Sequence, residues 1–499
     1  MIATPIENYP FLTRCRRMHF VGIGGVGMSG LAELLMNLGY DVSGSDITES
    51  ETTRRLAGLG AKIHHGHHAE QIGEVDVLVY SSAVSASNPE VAAARGRNIP
   101  VIPRAEILAE LMRMKYGVAV AGAHGKTTTT SLVAAVLAEG GLDPTTIVGG
   151  RVNSLGGNAR LGRGEYLVAE ADESDGSFLR LTPTVAIVTN LDAEHLDHYG
   201  TFDAVREAFR EFVNKVPFYG FSLLCADDEH IRNMIPEIER KSVTYGLEEG
   251  ADYTARDVTP IPDGMAFTAF QGDRRIGRMN IRLRGSHNVS NALAAVAVAT
   301  ELGIGAGPIG KALEEFSGIH RRFEQIGEVN GVTVVDDYGH HPKEIRAVLS
   351  AAREAWPNRR IVVLFQPHRY TRTRDILEEF FDAFDQADRL WILPIYPAGE
   401  KPIPHVNAGR ILEGVRARKT VEADSVDGLE EAQTFLMDCV RAGDLLITLG
   451  AGDIWKAAPA FVKRLQEAPA AGRRRGGGKR SGGESGQRDR PSAAGGEAA

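Results

Sequence analysis

The stretch GVAVAGAHGKTTTTSLVAAVLA, residues 117–138, places a glycine-rich loop between a strand and a helix. The apolar run Val118–Ala121 predicts a buried strand, and Thr127–Ala138 has the period of a helix. Backbone amides of the intervening Gly-x-x-Gly-Lys-Thr segment and the Lys126 ammonium can hold the β- and γ-phosphates of a nucleotide, and the Thr127 hydroxyl can ligate magnesium. The loop is shorter than the usual phosphate loop, but it predicts a nucleotide-binding α/β domain.

Strand-like runs alternate with helix-period segments along the whole chain. Met18–Ile23 precedes Met28–Leu38, and Ile361–Phe365 precedes Asp375–Phe384. This order is typical of βαβ units and parallel sheets. Asp252–Arg284 instead alternates apolar and polar residues and predicts an antiparallel hairpin at a sheet edge. We predict an α/β protein with a Rossmann-like N-terminal domain (1–114), a central P-loop ATPase-type domain (115–322), a C-terminal Rossmann-like domain (323–467) and a disordered basic tail (468–499).

Composition and charge exclude several classes of protein. Hydrophobic residues make up 43% of the 499 and charged residues 24%, as in a soluble globular protein. No apolar run approaches the roughly 20 residues that cross a bilayer. The three cysteines favour a reducing compartment, so we expect a cytoplasmic protein without a membrane partner. The tail carries seven basic and three acidic residues, which leaves the rest of the chain at −13 and disfavours nucleic-acid binding.

A second glycine loop, Gly22-Ile-Gly24-Gly-Val-Gly27, follows the first predicted strand. Asp46 lies 19 residues beyond it, at the end of the predicted strand Asp41–Ser45. By itself this pattern indicates a dinucleotide, with the diphosphate at a helix N-terminus and the carboxylate at a ribose. The histidine run 64–68 is interpreted as a polar loop, because no acid or cysteine completes a metal site.

Acidic residues follow two further predicted strands. The end of Tyr166–Ala171 carries a cluster of four carboxylates that includes Glu170 and Glu173, and Val185–Asn190 is followed by His195. Carboxylates at strand ends beside a phosphate loop predict a divalent-cation site. Asn288 and Asn291 precede a predicted small-residue helix, Ala292–Thr300, where they either read a base edge or cap the helix.

Arginines and histidines cluster after strand ends in the last third of the chain. Such strand ends are where α/β domains bind ligands, and arginine favours an anionic substrate. Arg321 and Arg322 stand at the preceding domain boundary and are candidates to reach a phosphate across a cleft. The candidates for substrate contact are Tyr338, His340, His368, Arg369 and Arg372.

Nine motifs in this order, over about residues 18 to 456, resemble those of the Mur ligase family. They are GIGGVGMSGLAELL, AGAHGKTTTT, EADESDGSF, TNLDAEHLDHYG, GSHNVSNALAA, GIHRRFE, DDYGHHPKEI, FQPHRYTRTRD and GAGDIW. Ala123 stands where the family usually has threonine, and Gly176 where alanine is common. Neither position is among the residues that are expected to take part in the chemistry.

The resemblance implies a role for each candidate residue. A UDP-sugar is expected at Gly22, Gly24 and Gly27, with Ser45 and Asp46 near the uridine. ATP is expected at Gly122, His124, Gly125, Lys126, Thr127 and Thr128, with Asn288 and Asn291 at the adenine and Arg322 at the γ-phosphate. Magnesium is expected at Thr127, Glu170 and His195. The substrate and amino-acid site is expected at Tyr338, His340, His368, Arg369 and Arg372, with Lys126, Glu170, His195, His340 and Arg369 as catalytic residues.

The activity that the resemblance implies is ATP-dependent ligation of L-alanine to the carboxylate of UDP-N-acetylmuramate in peptidoglycan synthesis, through an acyl phosphate. Three alternatives stay open. A dinucleotide-dependent oxidoreductase leaves the lysine loop unexplained, and a regulatory phosphate-loop ATPase leaves the first glycine loop unexplained. A sister ligase that adds a tripeptide to the same sugar nucleotide shares the motifs, but GIGGVGMSGLA fits the alanine enzyme better. The oligomeric state is not predicted.

Overall fold

The computed structural model describes residues 15–467, except residue 82 and residues 153–156. Three sheets follow one another along the chain, and each has helices on its faces. The predicted three-domain α/β class is therefore confirmed. The predicted basic tail, 468–499, lies outside the described residues. None of the helices in the part that the structure describes has the length and apolar character needed to span a bilayer.

The first sheet has five parallel strands in the order β3-β2-β1-β4-β5. The strand order reverses beside β1, which places the loop after β1 at the topological switch point where such sheets bind ligands. The elements are β1 Arg17–Val21, α1 Val26–Asn37, β2 Asp41–Asp46, α2 Glu51–Gly58, β3 Lys62–His65, β4 Val77–Tyr80, α3 Pro89–Gly96, β5 Val101–Pro103 and α4 Arg104–Arg113.

The second sheet has ten strands, and its first strand β6 lies between two later ones, β9 and β10. The elements are β6 Tyr116–Ala121, α5 Lys126–Glu139, β7 Thr145–Val152, β8 Gly157–Arg160, β9 Tyr166–Glu170, β10 Val185–Val188, α6 Leu196–Tyr199, α7 Phe202–Asn214, β11 Phe221–Cys225, α8 Glu229–Met234, β12 Ser242–Gly246, β13 Tyr253–Ile261, β14 Gly264–Gln271, β15 Arg274–Ile281, α9 Ser286–Glu301 and α10 Ala306–Glu315. The predicted hairpin is a three-stranded antiparallel meander, β13–β15, at the sheet edge.

The third sheet has the order β16-β17-β21-β18-β19-β20 and is parallel except at β16. Its elements are β16 Glu324–Val329, β17 Val332–Asp337, α11 Pro342–Ala355, β18 Ile361–Phe365, α12 Tyr370–Asp375, β19 Arg389–Ile392, α13 Ala408–Arg418, β20 Glu422–Ser425, α14 Leu429–Cys439, β21 Leu445–Leu449 and α15 Ala457–Glu467. Apolar residues on its two faces form two cores of their own, whereas the first two domains share one continuous core.

One predicted helix, Asp375–Phe384, is wrong. The helix α12 ends at Asp375, and a short 3-10 helix, Leu377–Phe380, follows it. Phe380 and Phe384 are buried, as the apolar spacing requires, but the hydrogen bonds of this segment join residues three apart. Successive tight turns place the same side chains in the core as an α-helix would, so the apolar period alone does not distinguish the two.

Candidate active site

The glycine loop after β1 is fastened to the end of β2. The amides of Gly22 and Ile23 donate to the Ser45 carbonyl at 2.8 and 3.0 Å, and the Gly24 amide donates to Asp46 Oδ2 at 2.9 Å. A Cβ atom on Gly24 would lie 2.8 Å from that same carboxylate oxygen, so the close approach requires glycine. Asp46 therefore shapes the loop in addition to any contact with a ligand.

The Ser45 side chain turns inward, beneath the glycine loop. Its hydroxyl is completely buried and donates to Glu90 Oε2 at 2.8 Å. His19 Nε2 lies 2.7 Å from the same oxygen, and His67 Nδ1 lies 3.0 Å from the other oxygen of Glu90. The Ser45 hydroxyl thus supports the loop from beneath, and His67 of the histidine run belongs to this buried network.

The lysine loop connects β6 to α5. Gly122 and Gly125 have φ values of +137° and +80°, the left-handed region that glycine adopts without strain. The His124 amide donates to Asn190 Oδ1 at 2.8 Å, which ties the loop to the end of β10. The Lys126 ammonium donates to the Gly122 carbonyl and to Glu173 Oε1, at 2.6 and 2.8 Å.

Glu173 stabilises the positive charge of the largely buried Lys126 side chain. Burial lowers the pKa of Lys126, but the carboxylates of Glu173 and Glu170 outweigh burial and raise that pKa above its ordinary value. Glu173 is only 3% exposed, and its second oxygen has no hydrogen-bond partner among the described residues. An unpartnered buried carboxylate oxygen beside a phosphate loop is where a cation fits.

The residues predicted to bind metal form two adjacent groups. The Thr127 hydroxyl donates to Glu170 Oε2 at 2.9 Å. His195 Nε2 lies 3.6 Å from Glu173 Oε1, and Glu194 completes a group whose ligand atoms lie within 4.8 Å of one another. The structure therefore adds Glu194 to the predicted candidates and singles out Glu173 from the predicted carboxylate cluster. Their oxygen and imidazole donors suit a divalent cation.

The two predicted asparagines lie in a second cleft, of about 430 Å³, which Thr128 and Arg322 also line. Thr129 Oγ1 donates to Asn291 Oδ1 at 3.1 Å, and Asn291 Nδ2 donates to Asn288 Oδ1 at 3.2 Å. The pair holds α9 against α5. A Cβ atom on Gly125 would lie 2.7 Å from Asn291 Oδ1, so the asparagine is packed directly under the lysine loop.

Glu344 organises the side of the third domain that faces the lysine loop. Its carboxylate accepts from the His340 amide at 3.0 Å, lies 3.4 Å from Arg322 Nη1 and lies 3.8 Å from His124 Nδ1. Burial raises its pKa, but His340, His124 and Arg322 outweigh burial, and the pKa lies well below the ordinary value. Sequence analysis missed this residue.

Arg321 and Arg322 have different surroundings. Arg321 Nε donates to the buried carboxylate of Asp336 at 2.9 Å, which holds its guanidinium against the third domain, and the residue lines the cleft where the three domains meet. Arg322 lines the second cleft and also the cleft where the three domains meet. His368 stacks on Tyr396 with ring centroids 5.6 Å apart, and Arg372 Nη1 donates to the His368 carbonyl at 3.3 Å.

A large cleft, of about 960 Å³, lies where the three domains meet. The first domain contributes Val26 and Arg55, and the second contributes Lys126 and Glu170. The third domain contributes its predicted substrate residues, which are Tyr338, His340, His368, Arg369 and Arg372. Lys126 and Thr127 of the lysine loop, the predicted metal residues and the third-domain residues therefore face one space. The residues predicted for the UDP-sugar are not among its lining residues, and His124, Gly125 and Thr128 line the second cleft instead.

His340 and His368 should be neutral at pH 7. Burial and the charge of Arg372 lower the pKa of His340 to about 4, and burial with neighbouring His340 and Arg372 lowers that of His368 to about 3. With 13C-labelled histidine, we expect the two ring signals, assigned with His340→Gln and His368→Gln, to stay constant from pH 8 to 5.5 while free histidine titrates. Because both pKa values are depressed, the stability they contribute is present above about pH 6.5 and is lost as the pH falls through about 4. A mid-point near pH 6.5 for either ring would contradict this.

The structure combines a phosphate loop that carries a cation with acidic side chains beside it. It adds a second nucleotide-type loop and the arginines of a third domain. These features together suit one reaction class. Such an arrangement activates one substrate with a nucleotide and joins it to another. The three-domain fold and its cleft thus define a nucleotide-dependent ligase.

Comparison with known families agrees with this class. Three models match in order: the Mur ligase family catalytic domain over residues 17–116, the Mur ligase middle domain over 120–299 and the Mur ligase glutamate ligase domain over 321–452. The chain belongs to the Mur ligase family.

Individual relatives are similar over nearly their whole length. UDP-N-acetylmuramate–L-alanine ligase of Anaeromyxobacter dehalogenans is 55% identical over 456 residues, which are 91% of this chain and 99% of the relative. The enzyme of that name from Geobacter sulfurreducens is 52% identical, over 92% and 99% of the two chains. The crystal structure of UDP-N-acetylmuramate–alanine ligase from Thermotoga maritima matches with a TM-score of 0.78 at 33% identity, over 90% and 99%.

Proposed function

We propose that this chain ligates L-alanine to the carboxylate of UDP-N-acetylmuramate, with conversion of ATP to ADP and phosphate, in peptidoglycan precursor synthesis. The observation that carries the proposal is the single cleft onto which Lys126, Glu170 and the third-domain arginines open. The names of the relatives that match over nine-tenths of the chain support the choice of substrates. The same proposal includes a cytoplasmic location. It also includes these small-molecule substrates as the partners, without a nucleic acid or a membrane.

Each domain has its own part in the proposal. Residues 1–114 bind the UDP-sugar through Gly22, Gly24 and the neighbouring Asp46. Residues 115–322 bind ATP, with the lysine loop at the phosphates and the asparagine pair of the second cleft at the adenine. Residues 323–467 bind the amino acid. Support comes from the loop geometry described above and from the position of each loop at a switch point of its sheet.

Magnesium ions fit the two donor groups of the second domain. Thr127 and Glu170 would hold one ion, and His195 with Glu173 and Glu194 would hold the other. The unpartnered oxygen of Glu173 supports this assignment. The bound ions would offset negative charge on the phosphates of ATP.

The chemistry needs activation because a carboxylate is a poor acylating agent. A muramyl carboxylate oxygen forms a bond to the γ-phosphorus of ATP, the bridging P–O bond breaks, and ADP leaves. The alanine amine then attacks the acyl carbon, the C–O bond to phosphate breaks, and the amine loses its proton. Lys126 and Arg322 stabilise charge on the transferring phosphoryl group, and a closed cleft excludes water from the acyl phosphate.

The third domain would position the amino acid for this attack. Arg369 and Arg372 carry the charge that a free carboxylate pairs with, and both line the cleft. Neutral His340 lies at the same wall, where the incoming ammonium must lose a proton before it attacks. Tyr338 and His368 complete this wall.

The proposal is tested by product analysis with competing acceptors. ATP, magnesium and UDP-N-acetylmuramate are incubated with equimolar L-alanine, glycine, L-serine and an alanyl tripeptide, and the products are separated by mass spectrometry. We expect the alanyl product to dominate at early times. A dominant tripeptide product would move the chain to the sister activity, and hydride transfer with NAD in place of ligation would support an oxidoreductase.

A further inference from the structure

Arg104, the first residue of α4, lies against the start of α1. A Cβ atom on Gly27 would lie 2.9 Å from Cζ of the Arg104 guanidinium and closer still to its Nη1 atom. Any residue larger than glycine at position 27 would displace this guanidinium. The third glycine of the loop therefore makes room for a cation beside the predicted diphosphate site.

The loop itself has no cation, since residues 22–27 contain no lysine or arginine. Arg55 of the first domain lines the large cleft, but it is paired with Glu33 on α1 at 2.7 Å. Arg104 instead pairs with another domain: its Nη2 atom donates to Asp172 Oδ2 at 3.0 Å. The Arg104 and Asp172 side chains are 27% and 43% exposed, so a ligand can reach the pair.

The interface around this ion pair is already held together by other contacts. The shared apolar core extends across the first two domains, and Asn158 Nδ2 donates to the Ser29 hydroxyl of α1 at 3.2 Å. A partly exposed ion pair contributes little to stability. Joining the two domains therefore does not require Arg104 and Asp172, and a different role for the pair is consistent with its exposure.

We propose that Arg104 is a further diphosphate-binding residue of the UDP-sugar site and that Asp172 competes with the diphosphate for it. The proposal rests on the proposed function, because it assumes a UDP-sugar at the glycine loop. A diphosphate presents more charge than one carboxylate and accepts two parallel hydrogen bonds from a guanidinium, so it displaces Asp172. Asp172, which lines the large cleft two residues after Glu170, is then released from the first domain.

The test compares two variants on opposite sides of the ion pair, with UDP alone as the probe and calorimetry as the measurement. Arg104→Ala should weaken UDP binding about 10- to 100-fold, the effect of losing a charged hydrogen bond. Arg104→Lys should weaken it less, because lysine keeps the charge and loses the bidentate geometry. Asp172→Asn should increase UDP affinity severalfold, because it removes the competitor.

Two controls keep the outcome interpretable. Arg113→Ala removes an exposed arginine at the other end of α4, where it pairs with Glu110, and it should leave UDP affinity unchanged. ATP affinity should be equal in all variants that fold, as checked by circular dichroism. If Arg104→Ala does not fold, the opposite shifts of Arg104→Lys and Asp172→Asn decide the question.

Equal weakening by Arg104→Ala and Asp172→Asn would show an ion pair with a purely structural role and would overturn the proposal. Wild-type affinity in Arg104→Ala would overturn it as well. Failure of the wild-type protein to bind UDP is a separate result, because it would refute the UDP site itself and with it the proposed function.

Discussion

Replacing Lys126 by alanine should reduce ligation by about 10³-fold, the largest effect of any single substitution in the cleft. Its ammonium is buried between the loop carbonyls and Glu173, where a low dielectric strengthens its interaction with the phosphates. The charge is fixed, because the pKa of Lys126 is raised. The measurement is the single-turnover rate of product formation at saturating ATP, with Lys311→Ala as the control.

Lys311 is a suitable control because it lies in the same domain, is about half-exposed and pairs with Glu139 at 2.7 Å. Its removal should leave the rate unchanged. Alanine at position 126 also leaves Glu173 without its cation, so folding must be confirmed by thermal unfolding. A folded Lys126→Ala enzyme with more than about a tenth of the wild-type rate would contradict the assignment of Lys126 to phosphoryl transfer.

Glu170→Gln and His195→Ala should each lower kcat by about 10²-fold or more and change the KM values little, because the bound cations stabilise charge that develops in the transition state. The geometry adds a distinction. Glu170 pairs with Thr127, whereas His195 groups with Glu173 and Glu194. Each variant should therefore remove one cation and leave the other.

Manganese binding gives a readout independent of activity. We expect electron paramagnetic resonance to count two Mn²⁺ ions bound with ATP in the wild-type protein and one in each variant. His198→Ala serves as the control, since His198 is a neighbouring exposed histidine outside both donor groups. Near-normal kcat at saturating magnesium, or two bound ions in either variant, would show that the ligands have been assigned wrongly.

The sequence predicted the fold class well because glycine loops and apolar runs are local signals. The strand Ile361–Phe365 was placed with its observed bounds, and both loops stand between a strand and a helix as expected. The helix Asp375–Phe384 failed, because tight turns bury the same side chains.

From the sequence, the residues of the candidate site could be predicted only where a local motif indicates their role. Glu344 occupies the third position of α11 and forms a capping box with His341, so in sequence it looks like an ordinary helix cap. Only the fold brings it to His124 and Arg322. Glu173 is one of four carboxylates at the end of β9 and just after it, and its burial against Lys126 distinguishes it from the other three. Contacts between distant segments carry no local signal.

The most direct test of the account is the dependence of ADP release on both acceptor substrates. With ATP and magnesium, we expect ADP and phosphate to form rapidly only when UDP-N-acetylmuramate and L-alanine are both present, with one ADP for each alanyl product. Omission of either substrate should leave slow hydrolysis, because each domain must close on its own substrate to complete the cleft. ATP hydrolysis at the full rate without UDP-N-acetylmuramate would contradict the account and would favour a regulatory ATPase.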